Sequence, residues 1–122
     1  MGPGTIEALA RAARFARDDE AFLDRATESN EESIALHVGE RRVELDRRAL
    51  ARLDAPLARR SVRRALDRLA THGTAPTARH LTSLMQLARA QGPGTRVDLP
   101  RGLEARRCGD RLVIERREAG DR

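Results

Sequence analysis

A chain of 122 residues is long enough for one domain with a modest core, built from Leu, Val, Ile and Ala because Phe15 and Phe22 are its only aromatic residues. Its net charge of +5 comes from 24 basic residues, all of them Arg, against 19 acidic ones, and suits a polyanionic partner. The single cysteine, Cys108, excludes an intramolecular disulfide. The sequence has no secretory signal and no apolar run near the roughly 20 residues that a membrane span needs. We therefore expect a cytoplasmic protein with no membrane partner.

The first predicted element is a long helix over 6–29. Thr5 is a suitable N-cap, and apolar residues then recur at helical spacing. Three successive acids at 18–20 suggest an irregularity in the helix. Its acidic, Ala-rich composition is typical of a connecting or packing helix.

A β-hairpin is predicted over 34–45, because apolar and polar residues alternate on both sides of a turn at Gly39. The pattern leaves a second interpretation open, in which 34–38 continues the preceding helix. The two interpretations differ in where the first strand begins.

Two helices are predicted next. Asp46 can cap a short helix over 47–53. Pro56 suits the first turn of a longer helix that runs to about residue 72, and Gly73 ends it.

The last predicted helix covers 78–91, with Thr77 as its N-cap and the Gly-Pro-Gly segment 92–94 as its stop. The tail, 94–117, follows as one strand, a Pro-Gly corner and a two-stranded hairpin that turns at Gly109-Asp110. The predicted fold class is therefore α+β and mainly helical, with about four helices and a small antiparallel sheet formed by the C-terminal strands.

The charges are unevenly distributed along the chain. Residues 1–40 hold four Arg against nine acids, 41–68 ten against four, and 69–122 ten against six. The planar guanidinium of Arg binds phosphate through two hydrogen bonds and stacks on bases. A basic body behind an acidic N-terminal segment indicates a nucleic-acid partner, although a GC-rich genome also accounts for Arg in place of Lys.

The helix that starts near Pro56 separates its residue types most sharply. One side is apolar, and the other carries Arg59, Arg60, Arg63, Arg64 and Arg68. Within each of two arginine pairs at i,i+4 spacing the like charges repel, which destabilises the helix by roughly a few tenths of a kcal/mol per pair. The arginine side either contacts phosphates or is a solvated face that finds acidic partners on the N-terminal helix.

Other arginines are candidates for the same role. Those on or beside the C-terminal hairpin are Arg101, Arg106, Arg107 and Arg111. They contact a nucleic-acid backbone or serve as edge-strand charges that discourage aggregation. Arg96 follows a Gly-rich segment, 92–95, which lacks the Lys and the helix of a P-loop and is more simply a helix stop. Arg79 and His80 are placed to touch a ligand at a predicted helix start.

Groups suited to catalysis are sparse. The three histidines share no metal-ligand spacing with one another or with Cys108. Ser83 lies within one helical turn of a histidine, and 18–20 offers carboxylates, but neither forms a recognisable catalytic motif. A small stand-alone enzyme is therefore the weakest of three hypotheses, behind a nucleic-acid-binding domain and a protein-interaction or dimerisation module.

Three segments resemble the substrate-binding domain of tRNA(Ile)-lysidine synthetase. The family's linking helix is similar to Ile6-Glu-Ala-Leu-Ala10 with Arg17-Asp-Asp-Glu-Ala-Phe-Leu23. Its Arg-rich central helix resembles Leu57-Ala-Arg-Arg-Ser-Val-Arg-Arg-Ala-Leu66. Its Gly-rich strand segment resembles Gly92-Pro-Gly-Thr-Arg-Val-Asp-Leu-Pro-Arg-Gly-Leu103. In this order the three span nearly the whole chain.

The resemblance implies tRNA docking without catalysis, so whether the chain is an enzyme stays open. The family uses ATP and lysine to modify the wobble cytidine of a minor isoleucine tRNA, in a ligase domain with a Ser-Gly-Gly-x-Asp-Ser loop that this sequence does not contain. ATP, Mg and lysine are therefore expected only with that catalytic domain, and no cofactor in this chain. Three positions depart from the family pattern that the resemblance implies. Thr95 stands where a basic residue is common, Arg101 where Gly is common, and Cys108 where a bulky residue is common.

We therefore predict a linking or packing helix over 1–30 and a substrate-binding domain over 31–122, compact together. The expected partner is tRNA, by resemblance the minor isoleucine tRNA, with a separate catalytic domain or a homodimer as further partners. The Met-Gly-Pro-Gly start favours a cut-out of a longer enzyme or a split gene. The predicted RNA-binding residues are Arg59, Arg60, Arg63, Arg64, Arg68, Arg79, Arg96, Arg101, Arg106 and Arg107.

Overall fold

The helix α1 (Pro3–Ile34) opens the fold and is longer at both ends than predicted. The computed structural model describes residues 3–69, 76–90 and 94–117. Pro3 is tolerated in the first helical turn, where its missing N–H has no partner to lose. The helix passes through 18–20 without the predicted irregularity, because acids on an exposed helix can point into solvent. Residues 4–22 are exposed, and Thr27 and Ile34 are buried against the rest of the chain.

The predicted hairpin is confirmed as β1 (Ala35–Val38) and β2 (Arg42–Asp46), an antiparallel pair. The helix ends at Ile34, so the alternative in which 34–38 stays helical is wrong. Gly39 donates its backbone N–H to the Arg42 carbonyl at 2.9 Å and closes the turn.

Both of the next predicted helices form. Asp46 caps α2 (Arg47–Arg52) by accepting a hydrogen bond from the Ala49 backbone N–H at 3.0 Å. The longer helix, α3 (Ala55–Leu69), has Pro56 in its first turn as predicted. Its predicted end at Gly73 lies outside the described residues.

Helix α4 (Ala78–Ala88) confirms Thr77 as its N-cap and shows why the start is well defined. The His80 backbone N–H donates to Thr77 Oγ1, and His80 Nδ1 in turn accepts from the Thr77 backbone N–H at 3.0 Å. His80 thus completes a capping box where Glu or Gln is usual. The helix ends before the predicted residue 91, with Ala90 in the left-handed region at φ 56°.

The tail forms the three predicted strands, β3 (Arg96–Leu99), β4 (Leu103–Cys108) and β5 (Arg111–Arg116). Gly109 turns the β4–β5 hairpin at φ 58°. The sheet has five antiparallel strands in the order β1-β2-β5-β4-β3, because β2 pairs with β5. The α+β class is confirmed, and the early hairpin joins the sheet of the C-terminal strands.

The core lies between one face of this sheet and the helices α2, α3 and α4. The sheet contributes a row of paired residues, Val43, Ile114 and Ala105, that crosses three strands. The predicted apolar side of α3 is buried and comprises Ala58, Val62, Ala65, Leu66 and Leu69. The arginine side of α3 is therefore turned away from the core.

The predicted division at residue 30 stays a prediction, and α1 ends four residues beyond it, at Ile34. Within the described residues, no helix has both the length and the apolar content that crossing a membrane requires.

Candidate nucleic-acid interface

Helix α3 carries two rows of arginines, and the first row faces α1. Arg60 Nη2 donates to Glu20 Oε1 at 2.6 Å, and its Nη1 donates to Asp24 Oδ1 at 3.0 Å. Further along the two helices, Arg68 pairs with Glu31. This row therefore finds acidic partners on the N-terminal helix, which is the second interpretation that the sequence left open.

Arg64 belongs to the same row but is held less firmly than Arg60. Its Nη1 lies 3.8 Å from Glu28 Oε1, and its Nη2 donates to Glu31 Oε2 at 3.3 Å. Its buried Nε has no hydrogen-bond partner within the described part of the chain. For Arg60, the hydrogen bond with Glu20 raises the pKa above its already high ordinary value, so this guanidinium stays charged.

The second row, Arg59 and Arg63, has no such partners. Both side chains are exposed, and neither makes an ion pair or a side-chain hydrogen bond with any residue that the structure describes. Arg89, at the end of α4, is also exposed, and its side chain likewise makes no ion pair or hydrogen bond with a described residue. These three guanidinium groups remain available to an external anion.

The unpaired arginines border two adjoining clefts between α3 and α4, and α1 contributes to the first of them. The first cleft has a volume of about 260 Å³ and is lined by Leu23, Pro56, Arg59, Arg60, Arg63 and Leu81. The second has a volume of about 220 Å³ and is lined by Ala55, Arg59, Leu81, Thr82, Met85, Gln86 and Arg89. Apolar side chains next to guanidinium groups suit a ligand that has both anionic and apolar parts, as a nucleotide does.

Two predicted arginines lie on the other side of the molecule. Arg96 and Arg106 are on the face of the sheet that points away from the helices, since their strand neighbours Val97 and Ala105 point inward. Arg96 Nη2 lies 2.6 Å from a carboxylate oxygen of Glu104. Arg106 pairs in the same way with a carboxylate on β5. Opposite charges alternate on this face, so its net charge is small.

The remaining predicted arginines occupy three further places. Arg107 Nη1 donates to the Leu87 carbonyl at 3.2 Å, at the end of α4. Arg101, in the β3–β4 turn, has its Nη1 3.8 Å from Asp67 Oδ1. Arg79 is exposed in the first turn of α4. The ten predicted residues are thus spread over the molecule, and only part of the set surrounds the clefts.

Groups for metal binding are not brought together in the parts of the chain that the structure describes. Those parts hold no cluster of three or more His, Cys, Asp or Glu residues able to bind a metal ion. His80 is engaged in the cap of α4, and Cys108 is exposed at the β4–β5 turn. His72 lies outside the described residues.

Residues 45–113 match the family described as the TilS substrate binding domain. This chain belongs to that family. The tRNA(Ile)-lysidine synthase of Streptomyces coelicolor is 36% identical over 115 residues, which cover 93% of this chain and 31% of the relative. The enzyme of the same name from Thermobifida fusca is 32% identical over 114 residues, which cover 93% and 34%. The chain thus spans about a third of the length of these curated relatives.

The matched part of the TilS substrate-binding domain, 45–113, contains all three unpaired arginines of the clefts and excludes α1. Arg101, at a position where the resemblance implies Gly, has φ 67°, in the left-handed region that favours Gly. A side chain there costs about 1 kcal/mol relative to Gly.

Three polar residues that line the second cleft were not among the predicted site residues. Thr82, Gln86 and Arg89 recur at i, i+4 and i+7 along α4, and so form one polar row beside its buried face. That spacing is visible in the sequence. Nothing in the sequence indicates, however, that this row lies beside Arg59, because the placement depends on how α3 and α4 pack.

Proposed function

We propose that this TilS substrate-binding domain docks tRNA through the clefts between α3 and α4. The observation that carries the proposal is the group of unpaired guanidiniums of Arg59, Arg63 and Arg89. Arginines that have no acidic partner among the described residues bind a phosphate without first breaking an ion pair there. The tRNA-modifying activity in the names of both relatives supports RNA as the polyanion.

The contacts are mainly to phosphate and ribose, which position an RNA without reading its sequence. Arg59 lies on both clefts and bridges them. The side chains of Thr82 and Gln86 offer hydrogen bonds to ribose hydroxyls. Of the arginines predicted from the sequence, Arg59, Arg63 and Arg79 are primary contacts in this proposal, and those bonded within the chain are secondary ones.

The proposed substrate is the minor isoleucine tRNA, and this domain supplies docking for a catalytic domain that performs the ATP-dependent lysine modification. ATP, Mg and lysine belong to that catalytic domain in this scheme. Discrimination at the anticodon belongs there too, because phosphate and ribose contacts carry no sequence information directly.

A fluorescence anisotropy titration with minor isoleucine tRNA at two salt concentrations tests the docking role. We expect salt-sensitive binding that the double substitution Arg59→Ala and Arg63→Ala weakens about tenfold or more. The slope of log affinity against log salt should fall by about one to two units, because two phosphate contacts are lost.

The matched control for this titration is Arg14→Ala with Arg17→Ala, which removes the same charge from the exposed part of α1. A similar loss in both double variants would mean that net charge, and not the clefts, governs binding. Competition with elongator methionine tRNA reports any preference for the isoleucine tRNA. Wild-type protein that binds neither tRNA at low salt would contradict the proposal.

A second candidate function, protein interaction or dimerisation, is supported by apolar side chains on α1. Ile6, Leu9, Phe15 and Phe22 are each between 61% and 68% exposed. Phe15 and Phe22 lie two turns apart on one side of α1, and a contiguous exposed apolar patch is typical of a surface that a protein partner covers. A partner bound there and a tRNA bound at the clefts are compatible, because none of these four side chains lines a cleft.

A further inference from the structure

We propose that the carboxylates of α1 compete with RNA phosphates for Arg60 and Arg64, so that bound RNA contacts the unpaired Arg59, Arg63 and Arg89 more readily. The inference rests on the proposed function, since it concerns which arginines a docked RNA reaches. Its structural basis is the acidic row, defined as Glu20, Asp24 and Glu28, which lies along the first arginine row of α3.

The acidic row presents negative charge at regular intervals, as a phosphate backbone does. Its members are four residues apart, so successive carboxylates are about 6 Å apart along α1. Guanidinium groups bind carboxylate and phosphate with the same forked geometry. Each carboxylate therefore occupies a position on Arg60 or Arg64 that a phosphate oxygen would otherwise take.

These ion pairs are exposed enough to be exchanged. The three carboxylate side chains are 62% to 63% exposed, and ion pairs at that exposure contribute little to stability, because water screens them. Binding of RNA to the arginines gains in addition from the release of counterions. The contact of Arg64 with Glu28 exchanges most easily, because it is 3.8 Å long, although Arg64 also donates to Glu31 at 3.3 Å.

Helix α1 remains attached when these pairs break, because apolar contacts also hold it. Ile34 is part of the hydrophobic core, and Thr27 is buried against the rest of the chain. Exchange of carboxylate for phosphate therefore does not require α1 to leave α3.

The competition makes α3 selective for the path of the RNA backbone. An RNA whose phosphates contact Arg59 and Arg63 breaks no ion pair in the described part of the chain, whereas contact with Arg60 in the first cleft displaces Glu20 and Asp24. An RNA that crosses α3 elsewhere must first displace the acidic row, which weakens its binding. A repulsive element against wrong partners is a common source of specificity.

The test is a triple substitution, Glu20→Gln, Asp24→Asn and Glu28→Gln, titrated by anisotropy with minor isoleucine tRNA and with a duplex RNA of unrelated sequence. We expect both affinities to rise, by about three- to tenfold, because three exposed pairs no longer oppose binding. The duplex should gain more than the tRNA. The salt dependence should steepen by about one unit as Arg60 becomes available, because Arg64 keeps its hydrogen bond to Glu31.

The matched control is Asp18→Asn, Asp19→Asn and Glu32→Gln, which removes three negative charges from α1 at positions that pair with no arginine in the described chain. An equal gain in both triple variants, or no gain in either, overturns the competition. Thermal melting followed by circular dichroism checks the fold, and Glu20→Gln with Asp24→Asn replaces the triple variant where that one unfolds.

The outcome for wild-type protein separates this inference from the proposed function. Tight wild-type binding without a gain in the triple variant overturns the competition alone. If the triple variant binds RNA and the wild-type protein does not, the competition is supported and docking by the unmodified chain is overturned. No binding by either protein overturns both.

Discussion

At the scale of single residues, the arginines differ in what their guanidinium groups bind. Arg107 donates to the Leu87 carbonyl at the end of α4, and Arg116 Nε donates to the Leu69 carbonyl at the end of α3. Arg47 Nη1 donates a hydrogen bond to the Ala88 carbonyl, also at the end of α4. The last carbonyls of a helix lack partners within the helix and attract cations. These arginines therefore stabilise the fold by capping helices.

Replacing Arg107 by Met should lower the free energy of unfolding by about 1–2 kcal/mol, because the Leu87 carbonyl loses a charged donor. We expect tRNA affinity to change less than twofold, since this guanidinium is bonded within the chain. Urea denaturation and the anisotropy titration measure the two effects. Arg41→Met, at an exposed position, is the control and should leave both unchanged. A large loss of affinity at unchanged stability would instead place Arg107 at the RNA.

At the scale of secondary-structure elements, local sequence signals predicted where most helices start but where fewer of them end. The side chains of Asp46 and Thr77 cap α2 and α4 as predicted, because an N-cap needs only a short polar side chain beside the helix start. The end of α4 was predicted too late. Arg47 and Arg107 reach its last carbonyls from distant parts of the chain, and no local pattern shows that.

The end of α4 also gives a prediction about stability. Ala90 adopts φ 56° just beyond the helix, a position where Gly is strongly preferred. Replacing Ala90 by Gly should therefore raise the free energy of unfolding by about 0.5–1 kcal/mol, measured by urea denaturation. Ala88→Gly, inside α4, should lower it by about 1 kcal/mol or more. A decrease at both positions would contradict the left-handed conformation of Ala90.

At the scale of the whole molecule, an acidic helix lies on a basic one within a single chain. Dimerisation, the second hypothesis from the sequence, needs a surface that is not already used within the chain. Because Glu20, Asp24 and Glu28 already pair with α3, self-association through α1 has to use its exposed apolar side chains. Association of that kind is not weakened by salt.

Sedimentation equilibrium at low and high salt tests this second role. We expect wild-type protein to self-associate at both salt concentrations, because Phe15 and Phe22 lie two turns apart on one side of α1 and are exposed. Phe15→Ser with Phe22→Ser should give a monomer. Ala12→Ser with Ala21→Ser, on the same exposed stretch, should behave like wild type. A wild-type monomer under all conditions would remove self-association as a role of α1.

The sequence determined the elements themselves and the apolar side of α3, because caps, turns and helical periodicity are local properties. The apolar residues Ala58, Val62 and Leu66 were assigned correctly to the core from their spacing alone. The same spacing separated the arginines of α3 from that core. The family resemblance followed from the order of these local patterns and is confirmed by the match over 45–113.

Only the tertiary structure decided which arginines are available to a ligand. Arg59 and Arg60 are adjacent in sequence and chemically identical, yet one is unpaired and the other is bonded to Glu20, 40 residues away. The availability of a charge depends on what lies within about 4 Å of it, and contacts between distant segments form only when α1, α3 and α4 pack. The sequence shows how many positive charges the chain carries, and the packing of its helices decides where they face solvent.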